Sequence, residues 1–264
     1  MIRLYRRLTL ALRLASLAAT TPAQLLLFIW SVYASMRVAC AFLPVWIIRV
    51  PIRFPNAVCS IEFRMRSDIW ELKDVLLDKE YAPLDLHDPK IIIELGSNIG
   101  ISTVYLATQY PNARILTTEP NPFLASQLAA NISACKNIDL HTFALAAHDG
   151  PIPLYVGTSS LGSSLERKAG QEAVSVEGVS ADRLLERLGI EHADLIKFDI
   201  EGAEQYLFRS FAGLESIDAY LGEVHYDRMP ITKEEVRETF RAYRISSYSA
   251  GRADREILYM KKKT

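Results

Sequence analysis

IIIELGSNIG, residues 91–100, is the stretch whose reading decides the fold. Three β-branched residues followed by Glu94 and Leu95 suit a strand covered on both faces, and the glycine turn after it opens a helical stretch that runs to Tyr110. The same alternation continues in both kinds of segment: RILTTE (114–119), IDLHTF (138–143), DLIKFDI (194–200) and AYLGEVHY (219–226) read as strands, and 122–135, 181–189 and 203–211 as helices. Strands alternating with helices predict a doubly wound, mostly parallel α/β sheet. Upstream, Ile69, Leu72, Val75 and Leu76 predict a helix over 67–83 with Ser67 or Asp68 as its cap. Downstream, Thr232 and Glu235 form a capping-box pair for a helix over 232–243, and RISSYSA and EILYMK are expected to pair as an antiparallel hairpin at the sheet edge. Between them PIPLYV and EAVSVEGV bracket the Gly/Ser-rich GTSSLGSSLE, a loop suited to closing over a substrate.

With 264 residues, half of them hydrophobic and 23% charged, the chain has ample material for a core, which excludes disorder and collagen-like repeats. The net charge of −1 hides an asymmetry: residues 1–66 hold nine Arg, no Lys and the single acid Glu62, a surplus of eight positive charges that the rest offsets with a net −9. Basic residues are otherwise confined to scattered positions and a short KKK tail, so nucleic acid is not an expected partner. Cys40, Cys59 and Cys135 form no CxxC and leave an odd one out, which suits idle thiols in a reducing compartment.

From Leu14 to Met36 there is no charged residue, a run of 23 that as a single helix would reach roughly 34 Å. Pro22, Gln24 and several hydroxyl residues weaken it as a membrane span, and arginines flank both sides, so the positive-inside rule assigns no orientation. Two basic flanks suit a helix or hairpin lying on an anionic inner leaflet through residues 8–50, with Trp30, Tyr33 and Trp46 at the interface. A soluble helical cap on the rest of the chain is the other reading, and a secretory signal a third.

The turn after Glu94 is not the G-x-G-x-x-G that brings a backbone against a pyrophosphate. A cofactor without phosphates needs only a tight turn and a nearby carboxylate, which Gly96, Gly100 and Glu94 offer. The next strand ends at Glu119, 23 residues beyond Gly96, where a carboxylate can accept both hydroxyl hydrogens of a ribose.

IIIELGSNIGISTVYLA, TTEPNPFLASQLAANI and DLIKFDIEGAE together resemble the FkbM family of S-adenosylmethionine-dependent methyltransferases, over about residues 67–226. The IKFDIEGAE string carries most of the resemblance, and the Ala144–Gly150 turn and Glu223-x-His225 follow the family order. The chain departs from the family's usual Asp-x-Gly-Ala-Asn by having Glu94-Leu-Gly-Ser-Asn, changes that keep polarity and small size. The resemblance implies a seven-stranded sheet of the class I methyltransferase type, with S-adenosylmethionine held by Glu94, Gly96, Ser97, Asn98, Gly100, Glu119, Asn121 and Ala144. It also implies transfer of a methyl group to a hydroxyl, with a glycan or lipid-linked saccharide as an acceptor suited to the leader. Residues 1–66 then form a basic, apolar helical leader and 67–264 the methyltransferase domain. Because S-adenosylmethionine is made in the cytosol, a cytoplasmic enzyme on the inner face of a membrane is expected and a cleaved signal is not. The alternatives are an NAD-dependent oxidoreductase and a non-catalytic, membrane-anchored binding protein.

In a doubly wound sheet the reacting groups belong at the carboxyl ends of the strands, which here carry Asp199 with Glu201, and Glu223 with His225. His225 is the expected general base, since a histidine is mostly neutral at cell pH, with Glu223 orienting it or acting instead and Asp199 touching cofactor or acceptor. A bland alternative pairs Glu223 and His225 with each other or with Lys197. Glu201 is read as opening the next helix; a divalent metal bound by Asp199, Glu201 and Glu223 is the lesser alternative, and none is expected, because nothing in the spacing demands one.

Overall fold

A computed structural model describes residues 2–37, 44–81, 84–157, 165, 171–249 and 254–263. The chain starts with helices α1 (Ile2–Ala15) and α2 (Thr21–Arg37), a hairpin of β1 (Ile48–Arg53) and β2 (Val58–Phe63), and a short helix α3 (Asp68–Leu72) that continues as a π-helical turn, Lys73–Leu77. The alternating body follows: β3 (Ile91–Leu95), α4 (Ile101–Gln109), β4 (Arg114–Thr118), α5 (Pro122–Ile132) and β5 (Ile138–His141). Three further strands, β6 (Phe143–Ala146), β7 (Gly150–Val156) and β8 (Glu172–Ser180), precede α6 (Leu184–Leu188) and β9 (Leu195–Phe198). Then come α7 (Glu204–Ser210), β10 (Ala219–His225), α8 (Lys233–Thr239), β11 (Tyr243–Ser249) and β12 (Arg255–Lys262).

Seven strands form the main sheet in the order β11-β12-β10-β9-β3-β4-β5, parallel except for β12, which runs against both neighbours. This is the doubly wound sheet of class I methyltransferases, with the edge hairpin where the sequence places it. Chain order reverses between β3 and β9, so a crevice opens at their carboxyl ends, where ligands of such sheets bind. The Thr232 capping box is present in both its bonds. IDLHTF, expected as one strand, divides: β5 stays in the main sheet, and from Phe143 the chain turns into a separate sheet of order β6-β8-β7. The helix expected over 67–83 stops earlier, with Lys79 at φ +55°. Neither candidate side chain caps it; Asp68 is buried and accepts from the Arg64 and Met65 amides and from Gln127 Nε2. The expected substrate lid falls mostly outside the described residues.

The leader packs into the body. Its charge-free run is broken between α1 and α2, where the linking residues join the hairpin edge through Ala19 N to Pro51 O (2.7 Å) and Arg53 N to Leu17 O (2.9 Å). No helix among the described residues is long and apolar enough to cross a membrane. Trp30 is corrected from an interfacial to a core position: it is 1% exposed, donates to Trp46 O at 2.6 Å and packs its ring on Phe63. Leu14, Leu27, Trp30, Ile61 and Phe63 belong to the same apolar cluster as Ile99, Val104 and Leu128 of the body. At roughly 1.5–3 kcal/mol for each large side chain fully buried, this shared core binds leader to body firmly. Asn131 adds a polar tie, accepting from Glu62 N (2.7 Å) and donating to Ile99 O (2.8 Å). Cys59 and Cys135 lie against each other, and burial raises both thiols, Cys135 to about 11, which suits idle cysteines.

Candidate active site

Strands β9, β3 and β4 lie side by side, and Lys197, Glu94 and Thr117 form one row across them. Glu94 in this row is sealed from solvent: it accepts hydroxyl hydrogens from Ser102 (2.5 Å), Thr103 (2.6 Å) and Thr117 (3.0 Å), and Lys197 Nζ stands 3.4 Å away. The expectation that Glu94 offers its carboxylate to a cofactor is therefore corrected; it anchors α4 and the turn instead. Lys197, proposed above as a partner of Glu223 or His225, is held by Glu94 and by Gly96 O (3.2 Å). Burial would lower its pKa, but the surrounding carboxylates, Glu94 first, raise it.

The turn is built on this anchor. Gly96 has φ +78°, and its backbone lies so close to β9 that an added Cβ would be 2.1 Å from Asp199 O. Ser97 is fully buried and spends its hydroxyl on Thr117 Oγ1 and Thr118 O, so its side chain supports the turn from beneath. Asn98, at φ +51°, donates its amide to Glu119 Oε2 (2.9 Å) and leaves its own Oδ1 buried without a hydrogen bond. Gly100 starts α4. Glu119, just past β4, holds Asn98 N with one oxygen and Asn121 N with the other (2.9 Å), and Asn121 in turn caps α5 through Phe123 N. Burial pushes the Glu119 carboxyl up to about 7, against the pull of those two amides. Ala144 stands apart from this group, in β6 of the small sheet, packed with Ala146 and Ile152.

Two strands over, the ends of β9 and β10 converge. His225 is fully buried; its Nδ1 is 2.8 Å from Glu204 Oε1, while Nε2 faces Glu223 Oε2 (3.3 Å), Glu201 Oε2 (3.4 Å) and Asp199 Oδ1 (3.9 Å) without making a hydrogen bond. Glu201 and Gly202 take left-handed conformations, φ +56° and +107°, which turn the chain so that Glu201 faces back to the imidazole and pairs with Arg228. It does not open the next helix, whose first residue, Glu204, bonds Gly202 N at 2.7 Å. Arg255 stands 3.6 Å from both Glu223 and Asp227. Tyr81 and Glu80 close the site from the segment before β3, with the Lys197 ammonium 5.8 Å from the Tyr81 ring centre. Burial, with the charge of Asp199 adding to it, raises Glu80 to about 8.

This arrangement can be compared with known proteins. Residues 94–245 match the Methyltransferase FkbM domain, from the anchoring carboxylate to the first residues of the edge strand β11. The chain belongs to the FkbM methyltransferase family. Among relatives of this FkbM-family chain, Methyltransferase sdnD of Sordaria araneosa is 29% identical over 166 residues, 50% of this chain and 64% of that protein. Methyltransferase 1 of Beauveria bassiana is likewise 29% identical, over 52% of this chain and 64% of its own. The chain thus spans just under two thirds of the length of these two relatives. Hexuronic acid methyltransferase AglP of Haloferax volcanii is 25% identical over 206 residues, 70% of this chain and 80% of its own. A solved structure, the Methanococcus jannaschii fibrillarin pre-rRNA processing protein, superposes with a TM-score of 0.49 at 13% identity, over 81% of this chain and 89% of its own.

In the FkbM-family chain the sequence identifies Asp199, Glu223 and His225 as neighbours, and the structure brings them together. Their expected division of labour changes. Burial alone would lower the His225 pKa, but the hydrogen bond to Glu204, the Glu223 carboxylate facing Nε2 and the charge of Asp199 raise it to about 10, so with only these neighbours the ring is an imidazolium at neutral pH. A neutral general base, as expected from the unperturbed pKa, does not fit that setting. Glu204, Arg228, Arg255 and Glu80 carry no strand-end signature and escaped the sequence reading; only the Glu-Gly-Ala-Glu string hinted at Glu204, and Tyr81 was legible only as the end of the upstream helix in the family order.

Proposed function

We propose that the chain is an S-adenosylmethionine-dependent O-methyltransferase acting on a hydroxyl of a saccharide or lipid-linked saccharide. The reading rests on one juxtaposition: a cradle at the ends of β3 and β4 lies beside carboxylates at the ends of β9 and β10, with Gly96 against the Asp199 backbone joining the two. The cradle fits the cofactor by its own donor set. Asn98 Oδ1 is buried without a partner, and the Glu119 carboxylate, buried at a strand end with one backbone amide on each oxygen, keeps further lone pairs for ribose hydroxyls. Both oxidoreductase and methyltransferase would use such a carboxylate, but they differ at the helix that follows. Glu71 Oε1 already accepts from Ile101 N (3.0 Å) and Ser102 N (3.4 Å), filling the start of α4 where a dinucleotide would place its pyrophosphate. That disfavours NAD.

When bound, S-adenosylmethionine supplies an electrophilic methyl group. Gly96, Asn98 and Glu119 bind and orient it, and Asp199, whose side chain is the most exposed of the acidic group, receives the acceptor hydroxyl. Glu223 and Asp199 are the oxygens able to take its proton, while His225, fixed by Glu204, positions them. A sugar as acceptor is supported by the name of the relative AglP, a hexuronic acid methyltransferase.

Calorimetric titration of the full chain tests the cofactor site. S-adenosylhomocysteine should bind and NAD should not, and Glu119→Ala should weaken the former by about 150-fold, the worth of two hydrogen bonds to a charged acceptor at about 1.5 kcal/mol each. A hydroxyl donates better to the anion, so binding favours ionised Glu119, and affinity should rise as pH climbs through about 7, gaining about tenfold between pH 6 and 8. Glu119→Gln should remove that dependence. NAD binding, or a Glu119→Ala variant that binds as tightly as the parent, would sink the reading.

The leader supports the lipid-linked alternative for the acceptor. Among the described residues, exposed large apolar side chains gather on it: Leu8 and Leu12 on α1, Leu25, Ile29 and Met36 on one stripe of α2, and Val45, Trp46 and Ile47 before β1. With nine arginines and one acid in residues 1–66, this face suits an anionic bilayer surface. The full chain should float with vesicles containing anionic lipid at low salt and lose most of that binding in a Leu25→Glu, Ile29→Glu variant. If it stays with the soluble fraction, the leader is only a structural cap.

A further inference from the structure

The geometry points to a divalent cation site formed by Asp199, Glu201 and His225, with Glu223 within reach as a fourth ligand. The three donor atoms lie within 4.8 Å of one another, and Nε2 to the two carboxylate oxygens measures 3.4 and 3.9 Å. Oxygen and nitrogen ligands about 2.1 Å from one ion stand about 3 Å apart when adjacent and about 4.2 Å apart when opposite, so these separations, which fall between the two, need side-chain shifts of only about half an ångström to close on one ion.

Proximity of acids alone would not make a site; the histidine adds the independent observation. His225 is 0% exposed, and its Nε2 points into the carboxylates with no hydrogen bond. Its other nitrogen is committed to Glu204, itself fully buried and held by Gly202 N, which is the outer-shell carboxylate that fixes a ligating imidazole with its proton on Nδ1 and its lone pair on Nε2. Asp199 Oδ1 is likewise buried and lacks a hydrogen bond.

The local charge argues the same way. Among the described residues Asp199, Glu201, Glu204, Glu223 and Asp227 face Arg228 and Arg255 as guanidinium partners, with the Lys197 ammonium held against Glu94. One proton on His225 offsets a single charge of that excess, and a doubly charged ion offsets two. Arg228 shares Glu201 with the site, which makes Glu223, 3.3 Å from Nε2, the natural additional oxygen. Carboxylates with one imidazole suit Mn2+ among the hard cations, since Mg2+ prefers an all-oxygen shell. A cation held by these residues keeps positions for oxygens of the acceptor; that role rests on the hydroxyl-methylation reading above, whereas the binding itself does not.

The test is titration of the EDTA-treated full chain with Mn2+, followed by the paramagnetic resonance of the free ion, with S-adenosylhomocysteine binding measured on the same sample. One saturable Mn2+ per chain is expected, with Asp199→Asn and Glu201→Gln each weakening it at least tenfold while unfolding stays cooperative. His225→Asn should abolish it, and because that change falls in a buried cluster, the half-exposed Asp199 carries the decision if His225→Asn does not fold. No saturable Mn2+ binding by folded protein, or binding unchanged in Asp199→Asn, overturns the site; the imidazolium is then the cation of the cluster. S-adenosylhomocysteine binding without Mn2+ binding would overturn the metal site and leave the methyltransferase reading standing, and the reverse result would do the opposite.

Discussion

Replacing Lys197 with alanine is expected to lower the unfolding free energy by about 3–5 kcal/mol, the usual cost of stripping one partner from a buried ion pair. Glu94 is wholly buried on β3, and the Lys197 ammonium, itself 4% exposed, is the cation beside it. Three hydroxyl donors from Ser102, Thr103 and Thr117 would remain, enough to keep the carboxylate solvated in part but not to neutralise it. Because the same ammonium donates to Gly96 O, the loss should also loosen the turn and weaken S-adenosylhomocysteine binding. Urea unfolding of the single variants and of the Glu94→Gln, Lys197→Met pair measures the coupling. The double variant should recover about 2 kcal/mol or more of the loss, since a neutral pair leaves no charge unpaired. A Lys197→Ala protein within about 1 kcal/mol of the parent would remove the ion pair from the account of the fold.

How far the sequence could be read follows from what each residue's signal contains. Runs such as IIIEL and RILTT declare strands by composition, and their alternation with helices fixes the parallel sheet and its crevice. The hairpin of β1 and β2 was hidden because IRVPIR carries Pro51, which ordinarily demotes a strand, and here sits in the first of just two strands. Glu94 and Glu119 both stand near strand ends, yet Glu94 falls within the row beneath α4 and Glu119 just beyond its strand. Glu94 lies level with Thr117, so Glu119 stands two positions further out, and that difference of depth puts one carboxylate inside the row and the other at the strand end; spacing from the glycine turn does not encode it. Likewise His225 was legible as a strand-end imidazole, but its charge state depends first on Glu204, which lies beyond the left-handed turn at 201–202 and carries no strand-end signal. The charge-free run of the leader has the same composition whether it meets lipid or a core, so only the contacts of Leu27 and Trp30 separate the two.

Gly96→Ala is expected to abolish measurable S-adenosylhomocysteine binding, a loss of more than about 100-fold, and to cost about 2–5 kcal/mol of stability. Two independent penalties combine. A left-handed conformation costs a residue with a Cβ about 1–2 kcal/mol, and φ is +78° here. The larger part is steric: the new methyl would stand 2.1 Å from Asp199 O and 3.0 Å from Ile200 Cγ2, and overpacking a tight site costs about 1–3 kcal/mol. Asp199 cannot yield easily, because its amide donates to Leu95 O at 3.0 Å and so ties the end of β9 to the end of β3. Relief therefore has to come from prising the turn away from β9, which separates Asn98 and Glu119 from Asp199 and splits the proposed cofactor cradle from the acceptor group. Gly189→Ala isolates the conformational part: at φ +68° with nothing within 4 Å of its added methyl, it should lose about 1–2 kcal/mol and bind S-adenosylhomocysteine as the parent does. Should Gly96→Ala prove no worse than Gly189→Ala in urea unfolding and in titration, the close approach of the turn to Asp199 would carry no weight in holding the site together.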